Sequence, residues 1–350
     1  MKRVRINTME ELSVAIGVSR PTLSRYFNDP KSVRPSTAEK IRLGLQQVDY
    51  IPNFFATRMN RESTGIVGVI IPYLHDLFFA SLLEAIEKIG LQHDFTILTQ
   101  SSHGDPRLEA RAVERFISMN ADAIVISPLG MDSDVAALEL AASKLPVVFI
   151  DSNLPEHLPN VDFVGTDNRQ SINIIVDYLC RTGTAPIFFS MPRLNSNSQE
   201  REAAYVERMQ WHGLEPQVLI HEKLPERWSE RWSFESYAYQ LMDEYFSRGR
   251  YTQDTLLCVN DLLAIGVLRA ATRHHLIIKP SAGAAGIRVA GHGGYPLSDY
   301  MTPSLTTVAQ DVNALAGAAI NMVIERVRGA GSSLPSRQLF EASLKIQESA

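Results

Sequence analysis

Apolar positions along the chain repeat at two different spacings. Up to about residue 47 they recur every three to four residues, which predicts short helices at 8–16, from Ser19 to Asn28, and at about 36–47. From Gly65 onward, short β-branched runs alternate with helical stretches, which is typical of parallel sheets flanked by helices. The predicted strands are 66–72, 95–100, 123–127, 147–151, 187–191 and 256–260. The chain is therefore predicted to be α/β, with a small all-α head before a core long enough for two sheets.

Turn and cap residues in the head favour a helix-turn-helix. Gly17 ends the first helix, and Pro21 is tolerated in the second helix because it lies in the first turn. Two short helices joined by a tight glycine-containing turn, with a third helix that supports them, make up this motif. The start of its second helix is the end that enters the major groove of DNA.

Several residues at the start of that second helix lie off its apolar face and suit contact with DNA. Arginine makes bidentate contacts with guanine, proline offers an apolar contact to a thymine methyl, and hydroxyl side chains hold phosphates. The candidates are Arg20, Pro21, Thr22, Ser24 and Arg25. Any three-helix bundle also has an exposed face with arginines, so this pattern alone leaves a purely structural role open.

The distribution of charge favours the same end of the chain. The protein has a net charge of −5, yet residues 1–62 carry 11 Lys and Arg against 6 Asp and Glu, while the remainder carries 23 against 33. The head is therefore net positive and the rest net negative, so an anionic polymer is attracted to one end only. A chance cluster of charges is the alternative interpretation.

A segment just after the head is also predicted to contact DNA. Residues 50–59 contain a Pro-Asn helix start and exposed apolar residues, in a stretch too short to be a stable isolated helix. Such a segment folds against a partner. On a DNA minor groove, Met59 would wedge between base pairs. In an ordinary connector, Met59 would pack in an interdomain contact.

Together these motifs resemble the lactose-repressor/galactose-repressor (LacI/GalR) family. The resemblance is carried by the run from Gly17 to Arg25, by 33–41, and by Tyr50-Ile51-Pro52-Asn53 with Ala56. It implies base reading by Arg20, Pro21 and Arg25, backbone contacts from Ser19, Thr22, Ser24 and Asn28, and a minor-groove hinge helix with Asn53, Ala56 and Met59. The chain departs from the family at Tyr26, Arg34 and Met59, which affects the preferred operator rather than the mode of binding.

In the core, polar and aromatic residues follow several predicted strands. Ligands of open parallel sheets bind at the carboxyl ends of the strands, so Phe78, Phe79, Asp151 and Asn260 are candidates for a binding cleft. Asn and Asp also cap helices after strands, and either Phe could belong to the core. The resemblance implies a periplasmic-binding-protein-like core from Gly65 onward, with effector contacts at Phe78, Phe79, Asp151, Arg201, Trp232, Asn260 and Gln310. Trp228 is the alternative to Trp232.

One position departs from the family where an effector contact is usual. The family commonly has Gly-Tyr/Phe-Asp-Asp, and this chain reads Gly291-His292-Gly293-Gly294, so a ligand-binding carboxylate is missing at Gly293. The remaining contacts suit a polyol, and Arg201 equally suits a carboxylate or phosphate. The loss of a negative charge near Arg201 favours an anionic effector such as a sugar phosphate or sugar acid.

Other functional classes receive little support from the sequence. The chain has no phosphate-binding loop, GxSxG elbow or HExxH pair, so neither an enzyme, a cofactor nor a metal site is predicted. Cys180 and Cys258 lie far apart and are expected to be free thiols. The N-terminus lacks the apolar run of a signal peptide, which predicts a cytoplasmic protein without a membrane span. The alternative is a solute-binding protein or sugar-processing enzyme on the same core fold.

The sequence thus predicts a transcription regulator, by default a repressor, whose operator affinity is controlled by a small-molecule effector. The predicted domains are a head at 1–50, a hinge at 51–63 and an effector-binding and dimerisation core at 64–350. Within the core, 64–163 with 311–330 is expected to form one subdomain, and 164–305 with 331–350 the other. The predicted partners are near-palindromic double-stranded operator DNA, a carbohydrate-derived effector and a second copy of the chain.

Overall fold

The computed structural model describes residues 4–53, 63–154, 158–191, 195–220, 233–277, 286–329 and 334–350. The chain divides into two compact units, Met1–Ile66 and Val67–Ala350. No helix among the described residues is long and apolar enough to cross a membrane.

The first unit contains the three predicted helices. They are α1 (Met9–Ile16), α2 (Arg20–Asn28) and α3 (Pro35–Gln47), with a 3-10 turn at Pro30–Ser32. Their apolar faces meet in a small core of Ile6, Leu12, Ile16, Leu23 and Ile41. The predicted helix-turn-helix head is confirmed, but it is not all-α, because residues 4–5 and 48–49 form two short paired strands.

Local signals explain how α1 begins and ends. Thr8 Oγ1 accepts a hydrogen bond from the N–H of Glu11 at 3.2 Å, and Gly17 follows the helix with a φ of 68°, a conformation that glycine adopts without steric cost. The sequence did not predict the parallel pair of strands β1 (Val4–Arg5) and β2 (Val48–Asp49). Two-residue strands are too short to show an alternating pattern.

The second unit contains two six-stranded sheets, each the centre of one lobe. The first sheet has the order β13-β7-β6-β5-β3-β4, and its strands from β13 to β3 pair in parallel. Its strands are β3 (Ile66–Ile71), β4 (Thr96–Ser101), β5 (Ala123–Ile126), β6 (Val147–Ile150), β7 (Val161–Thr166) and β13 (Arg337–Phe340). The first-lobe helices are α4 (Leu77–Gln92), α5 (Pro106–Ser118), α6 (Val135–Lys144) and α11 (Val312–Val327).

The second lobe repeats this plan. Its sheet has the order β14-β12-β11-β10-β8-β9, parallel except for the antiparallel edge strand β14. The strands are β8 (Pro186–Phe189), β9 (Val218–Leu219), β10 (Thr255–Cys258), β11 (Arg288–Gly293), β12 (Thr306–Ala309) and β14 (Ser343–Lys345). The helices are α7 (Asn168–Thr182), α8 (Ser196–Trp211), α9 (Phe234–Ser247) and α10 (Asp261–Arg273), and a 3-10 segment spans Pro296–Tyr300. The predicted two-lobed core with parallel sheets is confirmed.

The end of the chain differs from the predicted subdomain division. Residues 331–350 were assigned to the second subdomain, but β13 pairs with β7 in the first sheet and only β14 joins the second. The predicted boundary at 163/164 also cuts through β7, which lies wholly in the first sheet. A four-residue edge strand carries no side-chain pattern that indicates which of two neighbouring sheets it extends.

Candidate functional site

A cleft of about 260 Å³ lies between the two lobes, at the carboxyl ends of their strands. Its walls are formed by residues that follow strands in both lobes and by the first turn of α8. Its lining includes Asp76, Phe78, Phe79, Asp151, Asn195, Arg201, Asn260, His292, Tyr295 and Gln310.

The structure brings most of the predicted effector contacts to this cleft. Six of the seven are among the described residues, and all six line it: Phe78, Phe79, Asp151, Arg201, Asn260 and Gln310. Trp232 and its alternative Trp228 lie outside the described residues. Contact between these side chains and an effector stays a prediction.

Among the described residues that line the cleft, Arg201 is the cation. The residue is 8% exposed, its Nε donates to Asn168 Oδ1 at 2.8 Å, and its Nη1 donates to the carbonyl oxygen of Val259 at 3.0 Å. No hydrogen bond from Nη2 to another described residue accompanies these two. Burial lowers the pKa of Arg201 and nearby Asp151 opposes this effect, but a guanidinium remains charged at neutral pH. The two bonds therefore hold a charged group with donor capacity left for a ligand.

Asp151 directly follows β6 and lies near Arg201 in a buried position. Its backbone has a φ of 65°, a left-handed conformation that Asp tolerates better than most residues. Burial raises the pKa of Asp151 to about 7, the charge of Arg201 opposes this rise, and the carboxyl of Asp76 adds to it. Asp151 therefore titrates close to neutral pH.

Three helices begin at the cleft. Asp76, Asn195 and Asn260 cap α4, α8 and α10, and each side chain accepts a hydrogen bond from a backbone N–H in its own first turn. The positive ends of three helix dipoles thus meet at the cleft, which favours a bound anion. The sequence allowed Asn260 to be either a cleft residue or a helix cap. In the structure it caps α10, because its Oδ1 accepts the N–H of Leu263 at 2.8 Å. Its side-chain amide nitrogen is not used by this cap.

The predicted DNA-contacting residues lie along α2. Ser19, Arg20, Pro21 and Arg25 are exposed, and neither arginine forms an ion pair with another described residue. Thr22, Ser24 and Asn28 are partly buried, and the hydroxyl oxygens of Ser19 and Thr22 lie 2.8 Å apart. Asn53 is exposed, whereas Ala56 and Met59 lie outside the described residues. The head thus presents two unpaired arginines beside hydroxyl groups on one helix.

Two family models match the chain: a helix-turn-helix over residues 3–49 and a periplasmic binding protein-like domain over residues 176–350. The HTH-type transcriptional regulator PtxS of Pseudomonas plecoglossicida is 26% identical over 343 residues, 96% of this chain and 93% of its own. The HTH-type transcriptional regulator IdnR of Escherichia coli is 25% identical over 329 residues, 94% of each chain. The chain belongs to the LacI/GalR family of transcription regulators.

The fold of a solved member of the LacI/GalR family agrees with this assignment. The Lac repressor dimer bound to operator and the anti-inducer ONPF superposes with a TM-score of 0.81 at 21% identity, covering 99% of both chains. The match extends over the head and both lobes. The curated relatives that align over nearly the whole chain are named as regulators rather than enzymes.

In this LacI/GalR protein the adjacent aromatic residues serve two purposes. Phe78 and Phe79 are nearly buried in the apolar cluster of the first lobe, and their rings meet edge to face with centroids 5.2 Å apart. Both residues also line the cleft. Phe78 and Phe79 therefore belong both to the core of the first lobe and to the wall of the cleft.

Several residues that line the cleft were not predicted from the sequence, among them Asp76, Tyr295 and His292. Asp76 occurs two residues before Phe78, which is the spacing of an N-cap that accepts from the second helical N–H, and this signal was available. Tyr295 donates from its hydroxyl to Asp76 Oδ1 at 3.1 Å across 219 residues, and no local pattern indicates such a pair. His292 lies 2.8 Å from the Ser171 hydroxyl oxygen through Nε2. Burial holds the pKa of His292 well below its usual range, and Arg201 adds to this effect.

Proposed function

We propose that this LacI/GalR regulator is a repressor that binds operator DNA as a homodimer and changes its operator affinity when an anionic, carbohydrate-derived molecule occupies the cleft. Arg20, Pro21 and Arg25 read base edges, and Ser19, Thr22, Ser24 and Asn28 position the phosphate backbone. The hinge residues Asn53, Ala56 and Met59 act at the minor groove. Two copies of the head match the two half-sites of a near-palindromic operator. The Lac repressor structure, which is a dimer on operator DNA, supports this arrangement by analogy.

The position of Arg201 is the main reason to propose that the effector is an anion. Arg201 is the cation among the described lining residues, and hydrogen bonds to Asn168 and Val259 fix its position. Three helix N-termini lie at the same cleft. A carboxylate or phosphate at Nη2 would gain a charge-assisted hydrogen bond in a buried setting, where such bonds are strong. A neutral sugar would add no charge-assisted hydrogen bond, so Arg201 would interact only with the carboxyl groups of the protein, Asp151 first among them.

The carboxyl groups of the cleft fit a ligand that has hydroxyl groups as well as a negative charge. Asp76 Oδ1 is already engaged by Tyr295 and by the backbone N–H of Phe78. Asp151, with a pKa of about 7, is about half neutral at physiological pH. The remaining acceptor capacity of these carboxyls and the amide groups of Asn260 and Gln310 suit hydroxyl groups. A sugar acid or sugar phosphate combines both features.

Occupation of the cleft would alter operator affinity through the geometry of the lobes. Residues from both lobes line the cleft, so a ligand that contacts both changes the equilibrium between lobe arrangements by its differential affinity for them. The lobes of a dimer set the spacing of its two heads. The effect on DNA is therefore a coupling free energy between two separate sites.

Isothermal titration calorimetry with three probes tests the anionic effector. D-Glucose 6-phosphate and D-glucose share a pyranose ring and differ in charge, and D-gluconate is an open-chain polyol with a carboxylate. We expect one or both anions to bind with at least about tenfold higher affinity than glucose, which corresponds to one charge-assisted hydrogen bond. Binding of glucose alone would contradict the proposal. An operator obtained by selection from random duplexes then allows the coupling to be measured directly.

A further inference from the structure

Tyr295 and Asp76 join the two lobes directly. Asp76 caps α4 in the first lobe, and Tyr295 follows β11 in the second. The Tyr295 hydroxyl donates to Asp76 Oδ1 at 3.1 Å, and the same oxygen accepts the N–H of Phe78 at 2.9 Å. The bond therefore connects the first turn of a first-lobe helix to a loop of the second lobe.

The second-lobe end of this connection is held firmly. Asp261 has no exposed surface, and its Oδ2 accepts the N–H groups of Gly294 at 2.8 Å and Tyr295 at 3.3 Å. Its Oδ1 accepts the hydroxyl of Thr307 at 2.6 Å. The backbone of the loop at Tyr295 is thus fixed to α10 and β12. The position of the Tyr295 hydroxyl is therefore coupled to the position of the second lobe as a whole.

The Tyr295 ring also crosses into the first lobe. The residue is 5% exposed and belongs to the apolar cluster built around β3, α4 and α11, together with Leu262 from the second lobe. Separation of the lobes would expose this ring and leave the half-buried Asp76 without its phenolic donor. Both consequences oppose opening.

We propose that Tyr295 and Asp76 form a latch that holds the two lobes together when no effector is present. The bond is made entirely by this chain, so lobe contact does not depend on a ligand that bridges the cleft. The latch sets the fraction of molecules in the closed arrangement, and hence the apparent affinity for the effector and the operator affinity of the ligand-free protein. Its regulatory consequence rests on the proposed function, whereas the closure itself does not.

A second contact between the lobes supplies an independent reporter of closure. The backbone N–H of Asn153 in the first lobe donates to Ser196 Oγ, at the start of α8 in the second lobe, at 3.0 Å. None of the atoms of the latch takes part in this bond. Hydrogen exchange at the Asn153 amide therefore reports lobe separation, in the regime where reclosing is faster than exchange.

The experiment is hydrogen exchange measured by mass spectrometry with residue-level fragmentation on the full-length, ligand-free protein. Tyr295→Phe removes only the hydroxyl, and Asp76→Ser keeps an N-cap while shortening the side chain. We expect each variant to accelerate exchange at Asn153 about tenfold, and the double variant to exchange no faster than the faster single variant. Tyr300→Phe is the matched control, because Tyr300 follows in the same loop and is 84% exposed.

Unchanged exchange at Asn153 in both Tyr295→Phe and Asp76→Ser would overturn the latch. Equal acceleration in the Tyr300→Phe control would also overturn it, because the cause would then be general loosening of the loop. Additive effects in the double variant would show that the two residues act separately, again against the proposal. The measurement involves neither DNA nor effector, so failure of the proposed function leaves its result interpretable.

Discussion

A Cβ atom at Gly293 would lie 3.0 Å from Oδ2 of Asp261. The same atom would lie 3.2 Å from Cε1 of Tyr295, so both neighbours would have to move. Asp261 cannot give way easily, because it is fully buried and bonded through both oxygens. A side chain at position 293 and the network around Asp261 therefore compete for the same space, which gives a structural reason for glycine here.

Gly293→Asp is expected to destabilise the protein rather than restore a ligand contact. A second carboxylate beside buried Asp261 adds steric conflict and like-charge repulsion, which together cost about 1 to 3 kcal/mol in the free energy of unfolding. Chemical denaturation measures this loss. Gly293→Ala separates the effect of the Cβ atom from that of the charge and should cost less. A Gly293→Asp variant as stable as the parent, with tighter binding of gluconate, would contradict the account.

Arg201→Lys is expected to weaken binding of an anionic effector. Lysine keeps the charge but cannot bond to Asn168, Val259 and a ligand with the fixed geometry of a guanidinium. We expect a loss of about 10- to 100-fold in affinity for the better of gluconate and glucose 6-phosphate, measured by calorimetry. Arg208→Lys is the control on the same helix, since Arg208 pairs with Asp177. Equal losses in both variants would remove Arg201 from the effector site.

The affinity for an anionic effector is expected to rise as the pH falls from 8 to 6. Burial raises the pKa of Asp151 to about 7, so the carboxyl near Arg201 loses its negative charge over this interval and repels an anion less. An increase of about tenfold is expected, measured at fixed ionic strength with gluconate, whose carboxylate stays charged throughout. Asp151→Asn should bind with little pH dependence. A parent protein whose affinity falls towards pH 6 would contradict the assignment.

The same group links stability to pH in a defined direction. The folded-state pKa of Asp151 lies above the ordinary value of 3.8, so its contribution to stability is present at low pH and is lost as the pH rises through about 7. Glu109, whose pKa burial also raises to about 7, acts in the same sense. Asp151→Asn should therefore reduce the decline in melting temperature between pH 5 and pH 8. This measurement also shows whether the variant is folded where binding is tested.

Arg20→Ala is expected to relax operator specificity at one base position. A bidentate contact with guanine discriminates by about 1 to 3 kcal/mol, so the preference at that position should largely disappear while other positions keep theirs. Selection from random duplexes followed by sequencing measures this directly. Arg42→Ala is the matched control, because Arg42 is exposed on α3 and bound to Glu39 at 2.6 Å. Equal specificity in the Arg20→Ala variant and the parent would remove Arg20 from base reading.

The sequence predicted features that depend on local periodicity. The head helices follow from Leu12, Leu23 and Ile41 at helical spacing, and all three are buried in the head core. Six of the twelve described core strands were predicted in the same way, among them β3, which is buried along its whole length. The equally long strands β7 and β11 were not predicted. The signals of the predicted elements lie within a few residues of one another, which is why a single chain reveals them.

Features that depend on distant pairs were not predictable. Three such contacts join residues far apart in the chain. They are the pairing of β13 with β7, the hydrogen bond between Tyr295 and Asp76, and the proximity of Asp261 to Gly293. No local pattern encodes such contacts. The described effector contacts that the family resemblance implies all line the cleft. A resemblance to a family with a known fold indicates which distant residues lie together, and local periodicity does not.

In the proposed function, one chain couples an anion-binding cleft to sequence-specific DNA binding. Fluorescence anisotropy with a selected operator duplex, titrated at constant salt with and without the anion that binds in calorimetry, tests it most directly. We predict that the anion changes the operator affinity by at least about fivefold, the lower end of typical coupling free energies. In Arg201→Lys, the anion concentration that produces this change should rise by about 10- to 100-fold. An operator affinity that is identical with and without saturating anion would contradict the account.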